Sequence, residues 1–189
     1  MGRLKGKARA NASKRERNKI KNDGVLYRKK MISKIRKFDD PILEAECSLV
    51  DSEEDVSLII KELTKVLKAT KDGIGISAPQ IGYTKKIIAI RPGGWRGKIS
   101  VLINPEIVEQ SEETIRGIEG CLSYPGIQAP VERLKDIEVK YKDEENNLKT
   151  EKFQELKSVI IQHEVDHLIE GWCKVYYAWK EQKKESKDD

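Results

Sequence analysis

Between residues 56 and 67 the apolar positions fall at Val56, Ile59, Ile60, Leu63, Val66 and Leu67. That is the i, i+3, i+4 recurrence of a helix with one buried face. Asp51 or Ser52 is placed to cap it, with Glu54 and Asp55 three residues on, and Gly73 to close it. The apolar runs then become short and β-branched: Ile87 to Ile90, Val101 to Ile103, Ile107 to Val108. Gly, Pro and Asn separate them, which predicts brief strands. Ile137, Val139 and Tyr141 alternate with charged residues, and residues 148–153 alternate again beyond a polar Asp-Glu-Glu-Asn-Asn turn. This pair predicts a hairpin with one wet face. From Glu155 to Ile169 the chain is apolar almost all round, through Leu156, Val159, Ile160, Ile161, Val165 and Leu168, which predicts a buried helix. Residues 176–184 predict a last helix. The order implies an α+β fold without regular βαβ alternation, and no internal repeat is present.

Before Ile35 the pattern weakens. Residues 1–30 offer Leu4, Ile20, Val25, Leu26 and Tyr27 as scattered apolar positions, too few for a core, so this arm is expected to be disordered or at most transiently helical. Charge separates it further. The 189 residues carry a net charge of +5, but residues 1–30 hold 12 Lys and Arg against Glu16 and Asp23 and carry +10, leaving −5 for the rest. A mildly acidic body is not an obvious nucleic-acid binder, whereas the arm is basic enough to meet RNA. Met31 is a plausible second start of translation. The expected organisation is an extension at 1–30, one domain at 31–180 and a charged, frayed tail at 181–189. No apolar run approaches a membrane span, nothing apolar follows the basic start as a secretory signal would require, and three scattered cysteines make no disulfide framework. A reducing cytoplasm is expected. Organelle targeting fits less well, because Lys dominates the arm and Ser is scarce.

The only two histidines lie in one pentapeptide, His163-Glu164-Val165-Asp166-His167. Residues i and i+4 share a helix face, so both imidazoles can reach one metal ion, and Glu164, about 100° round the helix, stands beside it as a base for water. A catalytic site usually takes a third protein ligand. The downstream residues do not supply the extended protease pattern, since Glu170 and Cys173 stand where it needs Gly and His, and Glu181 and Glu185 read as solvated helix charges. A better third ligand lies upstream in Glu119-Gly120-Cys121-Leu122-Ser123-Tyr124-Pro125-Gly126, where Cys121 sits between a flexible glycine and a Pro-Gly turn. Cys47 and Cys173 read as small buried cysteines. A third segment, Gly73-Ile74-Gly75-Ile76-Ser77-Ala78-Pro79-Gln80-Ile81-Gly82, lets backbone approach a ligand closely, and Gln80 offers an amide donor to an oxyanion. A zinc endopeptidase built on HEVDH alone and a binding protein with a degenerate site stay open at this point.

Together the three segments resemble peptide deformylase: GIGISAPQIG at 73–82, EGCLSYPG at 119–126 and QHEVDH at 162–167, joined by KKIIAI and VLINPEI, over about residues 35–175. The resemblance implies short, mostly antiparallel strands around a buried central helix carrying HEVDH, with an N-terminal amphipathic helix and a C-terminal helix. It implies removal of the formyl group from N-terminal formylmethionine of nascent polypeptides by a monomer. Cys121, His163 and His167 would hold one divalent ion, usually ferrous iron, with zinc, nickel or cobalt able to replace it. Glu164 would be the general acid/base, while Gln80 and the backbone N–H of Leu122 would hold the oxyanion. Gly75, Ile76, Glu119 and Gly120 would border the substrate, with Val159 or Ile160 in the methionine pocket. The chain departs from the family pattern at Ser77, usually Ala, and in Leu168-Ile169-Glu170-Gly171, one residue longer than usual before the glycine. The basic arm has no counterpart in the plain bacterial enzyme; a solvated extension without function, or a mis-set start, is the leading reading, and a ribosomal RNA contact through it is another.

Overall fold

The computed structural model describes residues 2–169 and 173–185, with the side chains of residues 2–15 and of Trp95 left aside. Its elements run α1 (Gly2–Ile32), α2 (Ser57–Ala69), β1 (Gly75–Ser77), β2 (Ile87–Ile90), β3 (Ser100–Gln110), β4 (Thr114–Cys121), β5 (Tyr124–Leu134), β6 (Asp136–Lys142), β7 (Leu148–Gln154), α3 (Leu156–Asp166) and α4 (Lys174–Glu185). The α+β architecture expected from the sequence is the one observed. One sheet has the order β1-β2-β3-β6-β7 and the other is the two-stranded ribbon β4-β5, every pairing antiparallel.

Strand β2 is buried along its whole length because its alternating side chains feed two cores. Ile87 and Ala89 pack with Leu63, Val66 and Leu67 of α2. Ile88 and Ile90 pack on the other side with Ile160 and Ile161 of α3, together with Leu102, Val139 and Phe153. The helix carrying both histidines therefore lies against the centre of the larger sheet. Two neutral side chains fix it there. Gln162 accepts from the Leu134 amide (3.0 Å) and donates to the Leu134 carbonyl (2.8 Å), and the Ser158 hydroxyl donates to that same carbonyl (2.9 Å). Through Leu134, α3 is clamped to β5 and so to β4.

Several boundaries differ from expectation for identifiable reasons. The Asp51 amide does meet the Glu54 carboxylate (3.4 Å), but this closes only an isolated turn, since Glu54 is held by Lys85 (2.7 Å). Helix α2 starts at Ser57, and Thr70 rather than Gly73 ends it, its hydroxyl donating to the Leu67 carbonyl (2.8 Å). The two short strands expected at 101–103 and 107–108 are one strand, β3, with register shifts. Asn104, at φ 53°, makes this possible, its side chain bridging the Val50 amide and carbonyl at 2.8 Å each.

The arm, expected to be disordered or transiently helical, runs as the continuous helix α1. Lys, Arg and Ala carry high intrinsic helix propensity, which hydrophobic periodicity does not register. Residues 16–30 are all exposed; burial begins at Met31 and Ile35, where Lys34 also pairs with Glu62 of α2 (2.6 Å). Among the described residues no helix is long and apolar enough to cross a membrane.

Candidate active site

Three elements meet at a cleft of about 690 Å³: the segment leading into β1, the β4–β5 ribbon and the outer face of α3. Strand β1 is the edge of the larger sheet, so one side of its backbone is unpaired by β2. Gly75 lines the cleft because it has no side chain: a Cβ there would fall on the Glu164 carboxyl, 2.9 Å from its Cγ and 2.8 Å from its Cδ.

Glu164 is almost wholly buried, and its Oε2 has no hydrogen-bond partner among the described residues. Burial pushes its carboxyl up to about 7, so it exchanges a proton near neutrality. An orphaned buried oxygen in a cleft is a functional signature rather than a packing one.

The two histidines differ. His167 caps the end of α3 and is buried, which holds its imidazole neutral. Its Nε2 lies 3.1 Å from the Cys121 sulfur. Burial also opposes the charge of His163, but Nδ1 of its ring meets the Glu119 carboxylate at 2.8 Å and this contact raises its affinity for a proton. With Nδ1 engaged by a carboxylate, Nε2 is the nitrogen left to act, the arrangement typical of a ligating histidine. The rings stand 5.4 Å apart, centroid to centroid.

Glu119 was expected to border substrate, and it does line the cleft. Its carboxylate, however, is committed to His163 and to Arg133, which holds it through two bonds of 2.9 and 3.0 Å. Arg133 also reaches Asp166 (2.8 Å). Burial opposes the Glu119 charge, yet His163 and Arg133 outweigh it and bring the carboxyl down to about 2. Arg133 escaped the sequence reading, although one signal was available: it shares a strand face with the buried Ala129 and Val131, where an arginine requires a partner.

Gln80 is anchored at both ends. Its Oε1 accepts from the Ser77 amide (2.9 Å) and hydroxyl (3.1 Å), which aims Nε2 at the Ser123 hydroxyl (3.1 Å) and the Cys121 sulfur (3.5 Å). The hydroxyl that departs from the family pattern thus holds the amide in place. Leu122 and Ser123 form the tight turn between β4 and β5, and the Leu122 carbonyl accepts from Lys37 (2.9 Å). Gly120 lines the cleft, as do Val159 and Ile160. Ile76 offers backbone alone: its side chain is fully buried in the cluster that includes Leu63, Val66 and Leu67 of α2, while its main chain lies on the edge strand. Glu181 and Glu185 are exposed on α4. Glu170 and Gly171, where the chain runs one residue long, lie outside the described residues.

Cys173 was read as an ordinary buried cysteine. It is buried, but its sulfur lies with Cys121 and His167 in a group whose ligand atoms are all within 4.8 Å of one another. The contact between the two thiols pushes the Cys121 thiol up, helped by burial, and pulls the Cys173 thiol down, helped by the Tyr176 amide. Thiolate and imidazole donors in a buried site fit a borderline or soft divalent ion. A proton-exchanging carboxyl beside such donors, opposite a free strand edge, defines a metal-dependent hydrolase for an extended peptide end.

Comparison with known proteins gives the particular member of that class. The family model described as polypeptide deformylase matches residues 32–182. A peptide deformylase of Pseudothermotoga lettingae is 40% identical over 139 residues, 73% of this chain and 78% of that protein. The chloroplastic/mitochondrial peptide deformylase 1B of Arabidopsis thaliana is 36% identical over 138 residues, 71% of this chain and 50% of that protein. Among solved structures, the peptide deformylase of Plasmodium falciparum superposes with a TM-score of 0.72 at 34% identity, covering 82% of this chain and 91% of that one. A probable peptide deformylase from synechococcus phage S-SSM7 gives 0.68 at 31%, covering 76% and 97%. The chain belongs to the peptide deformylase family. It is a metal-dependent hydrolase that removes the formyl group from the N-terminal methionine of polypeptides.

Proposed function

We propose that Cys121, His163 and His167 hold one divalent ion, ferrous iron in the cell, with zinc, nickel or cobalt able to take its place, and that Glu164 handles the protons of the reaction. When bound, the ion supplies Lewis acidity and makes water a nucleophile near neutral pH. The observation that carries this reading is the buried Glu164 carboxyl, unpartnered at Oε2 and raised to about 7. It accepts the proton of the attacking water and later delivers it to the leaving amine. Gln80 Nε2, fixed from behind by Ser77, and the Leu122 amide donate to the oxyanion, each such donor being worth about 3 kcal/mol. The peptide lies along β1, pairing with its backbone at Gly75 and Ile76 and running past Gly120, with its methionine side chain against Val159 and Ile160. Glu119 serves the reaction through His163, whose ring it orients. The enzyme works as a monomer in the cytoplasm on N-formylmethionyl nascent chains.

Formate release from a formyl-Met peptide, by anaerobically purified, iron-loaded protein, tests this assignment. Release should vanish in Cys121→Ala together with the metal, and vanish in Glu164→Gln with the metal retained. An active Glu164→Gln enzyme would overturn the assignment of the base.

The exposed stretch of α1 supports a partner as well. With +10 concentrated in residues 1–30 and residues 16–30 exposed, the helix is suited to ribosomal RNA. Salt-sensitive co-sedimentation with ribosomes that is lost on deleting residues 1–30 is the expected result; unchanged co-sedimentation would refute it.

A further inference from the structure

We propose that the groove between α2 and the loop at 91–99 binds a small free oxyanion, a phosphate dianion above all, on the Arg91 guanidinium. This is a second site, independent of the metal reading above.

The groove has a volume of about 900 Å³, runs along α2 from Ser57 to Lys68, and shares no lining residue with the catalytic cleft. Arg91, the residue after β2, lies in its wall and is only 2% exposed. Arginine keeps its charge inside a protein, and a buried one is almost always paired. Arg91 has no ion pair among the described residues. It is held through Nη2, which donates to the carbonyls of Thr70 (3.3 Å) and Gly73 (2.6 Å) at and beyond the end of α2. The partial charge of a helix C-terminus offsets only about half a unit. Nε is shielded from solvent and has no hydrogen-bond partner among the described residues. Burial lowers the proton affinity of Arg91, and no carboxylate acts against it. A fixed, uncompensated guanidinium with an unmatched N–H in the wall of a groove is the donor set that an oxyanion completes.

More positive charge gathers at the same end. Lys68, in the last turn of α2, and Lys98, after the loop, are exposed in the groove and engage no acid among the described residues. The acids of the groove lie elsewhere. Asp51, Glu54 and Asp55 precede α2, and Ser57 is about 16 Å from Lys68 along the helix axis. Glu54 is already bound to Lys85 (2.7 Å) and Asp55 to the Ser57 amide (2.9 Å). Glu144 follows the Ile103–Lys142 pair, about 10 Å along β3 from the Ile90–Ser100 pair beside Arg91. Three cations at one end favour a dianion over a single carboxylate. The Arg91 amide also donates to the Ile74 carbonyl (2.6 Å), and Gly73 and Ile74 line the catalytic cleft, so Arg91 is built into the wall between the two cavities.

A titration of the zinc-loaded, full-length protein with inorganic phosphate, followed by the NMR resonance of the Arg91 Nε–H group, tests this at the atom concerned. The resonance, assigned by its absence in Arg91→Lys, should shift saturably with one phosphate per chain. Lys68→Gln and Lys98→Gln, both at exposed positions, should each weaken that binding by about three- to fivefold. Crystals of the unaltered protein soaked in selenate should show an anomalous peak against Arg91, a measurement that needs no variant to fold. An Arg91 resonance that phosphate leaves in place, equal affinity in both lysine variants, or selenate found only on residues 1–30 or in the catalytic cleft would overturn the proposal.

Discussion

Replacing Gly75 by alanine isolates what the glycine does. Gly75 is not among the residues with positive φ, so the backbone of β1 accepts an L side chain without strain. The obstacle is the Glu164 carboxyl alone. With Cγ at 2.9 Å and Cδ at 2.8 Å from the new methyl, against 3.4 Å or more for ordinary contact, the carboxyl has to retreat by roughly half an ångström, and Oε1 by more. Glu164 is buried and cannot swing into solvent, so it takes up the movement within the cleft. Misplacement of a reacting group on the scale of 1 Å costs about 10²-fold in rate, or about 2.7 kcal/mol of barrier. The loss has a ceiling, because removing a general acid/base altogether costs about 10²–10⁴-fold. Formate release measured on Gly75→Ala, Glu164→Ala and the double variant, each with its metal content determined, closes the cycle. Gly75→Ala should lose about 10²-fold in kcat with its metal retained, and the double variant should match Glu164→Ala, since the methyl then has nothing to displace. A Gly75→Ala enzyme with wild-type kcat, or a double variant far slower than Glu164→Ala, would refute the reasoning.

Three further outcomes are expected. Arg133→Leu leaves Glu119 and Asp166 as buried carboxylates without their cation and should destabilise the fold by about 3–5 kcal/mol in urea unfolding. Ser77→Ala removes one of two donors to Gln80 Oε1 while the amide donor stays, so kcat should fall by no more than about fivefold; a loss as large as that of Gln80→Leu would contradict the shared anchoring. In the β6–β7 turn, the Lys149 contact and the Asn147 amide hold the Asp143 carboxyl down to about 2, from an ordinary 3.8. The stability this gives is complete above 3.8 and is lost as pH falls through 2. The difference in unfolding midpoint between the native chain and Asp143→Asn should therefore narrow over that interval and stay constant above it.

What the sequence revealed follows from which forces leave a periodic trace. Helices α2 and α3 and strand β2 each bury apolar side chains in a fixed rhythm, and all three were legible in position. Strand β1, three residues long, was read only as a segment that lets backbone approach a ligand closely. Strands β4 and β5 show a weak rhythm, because β4 buries little but Cys121 and β5 spends one inward position on Arg133. The arm's helix leaves no periodic trace because residues 16–30 are exposed. In the candidate site, the i, i+4 spacing and the motif around Cys121 singled out Cys121, His163, Glu164 and His167, which the fold brings near one another. Arg133, Asp166 and the placement of Cys173 were not legible, since they depend on which strand or helix end the fold sets beside them.

The clamp between Gln162, Ser158 and Leu134 separates two histories that metalloproteins often share. Its bonds join an amide and a hydroxyl to a peptide group and involve no ion. They hold the helix of His163 and His167 against the ribbon that carries Cys121 whether or not an ion is bound. Loss of the ion, by oxidation or by chelation, is then an event of the site rather than of the fold. An enzyme emptied in one moment can be recharged in the next without passing through an unfolded chain.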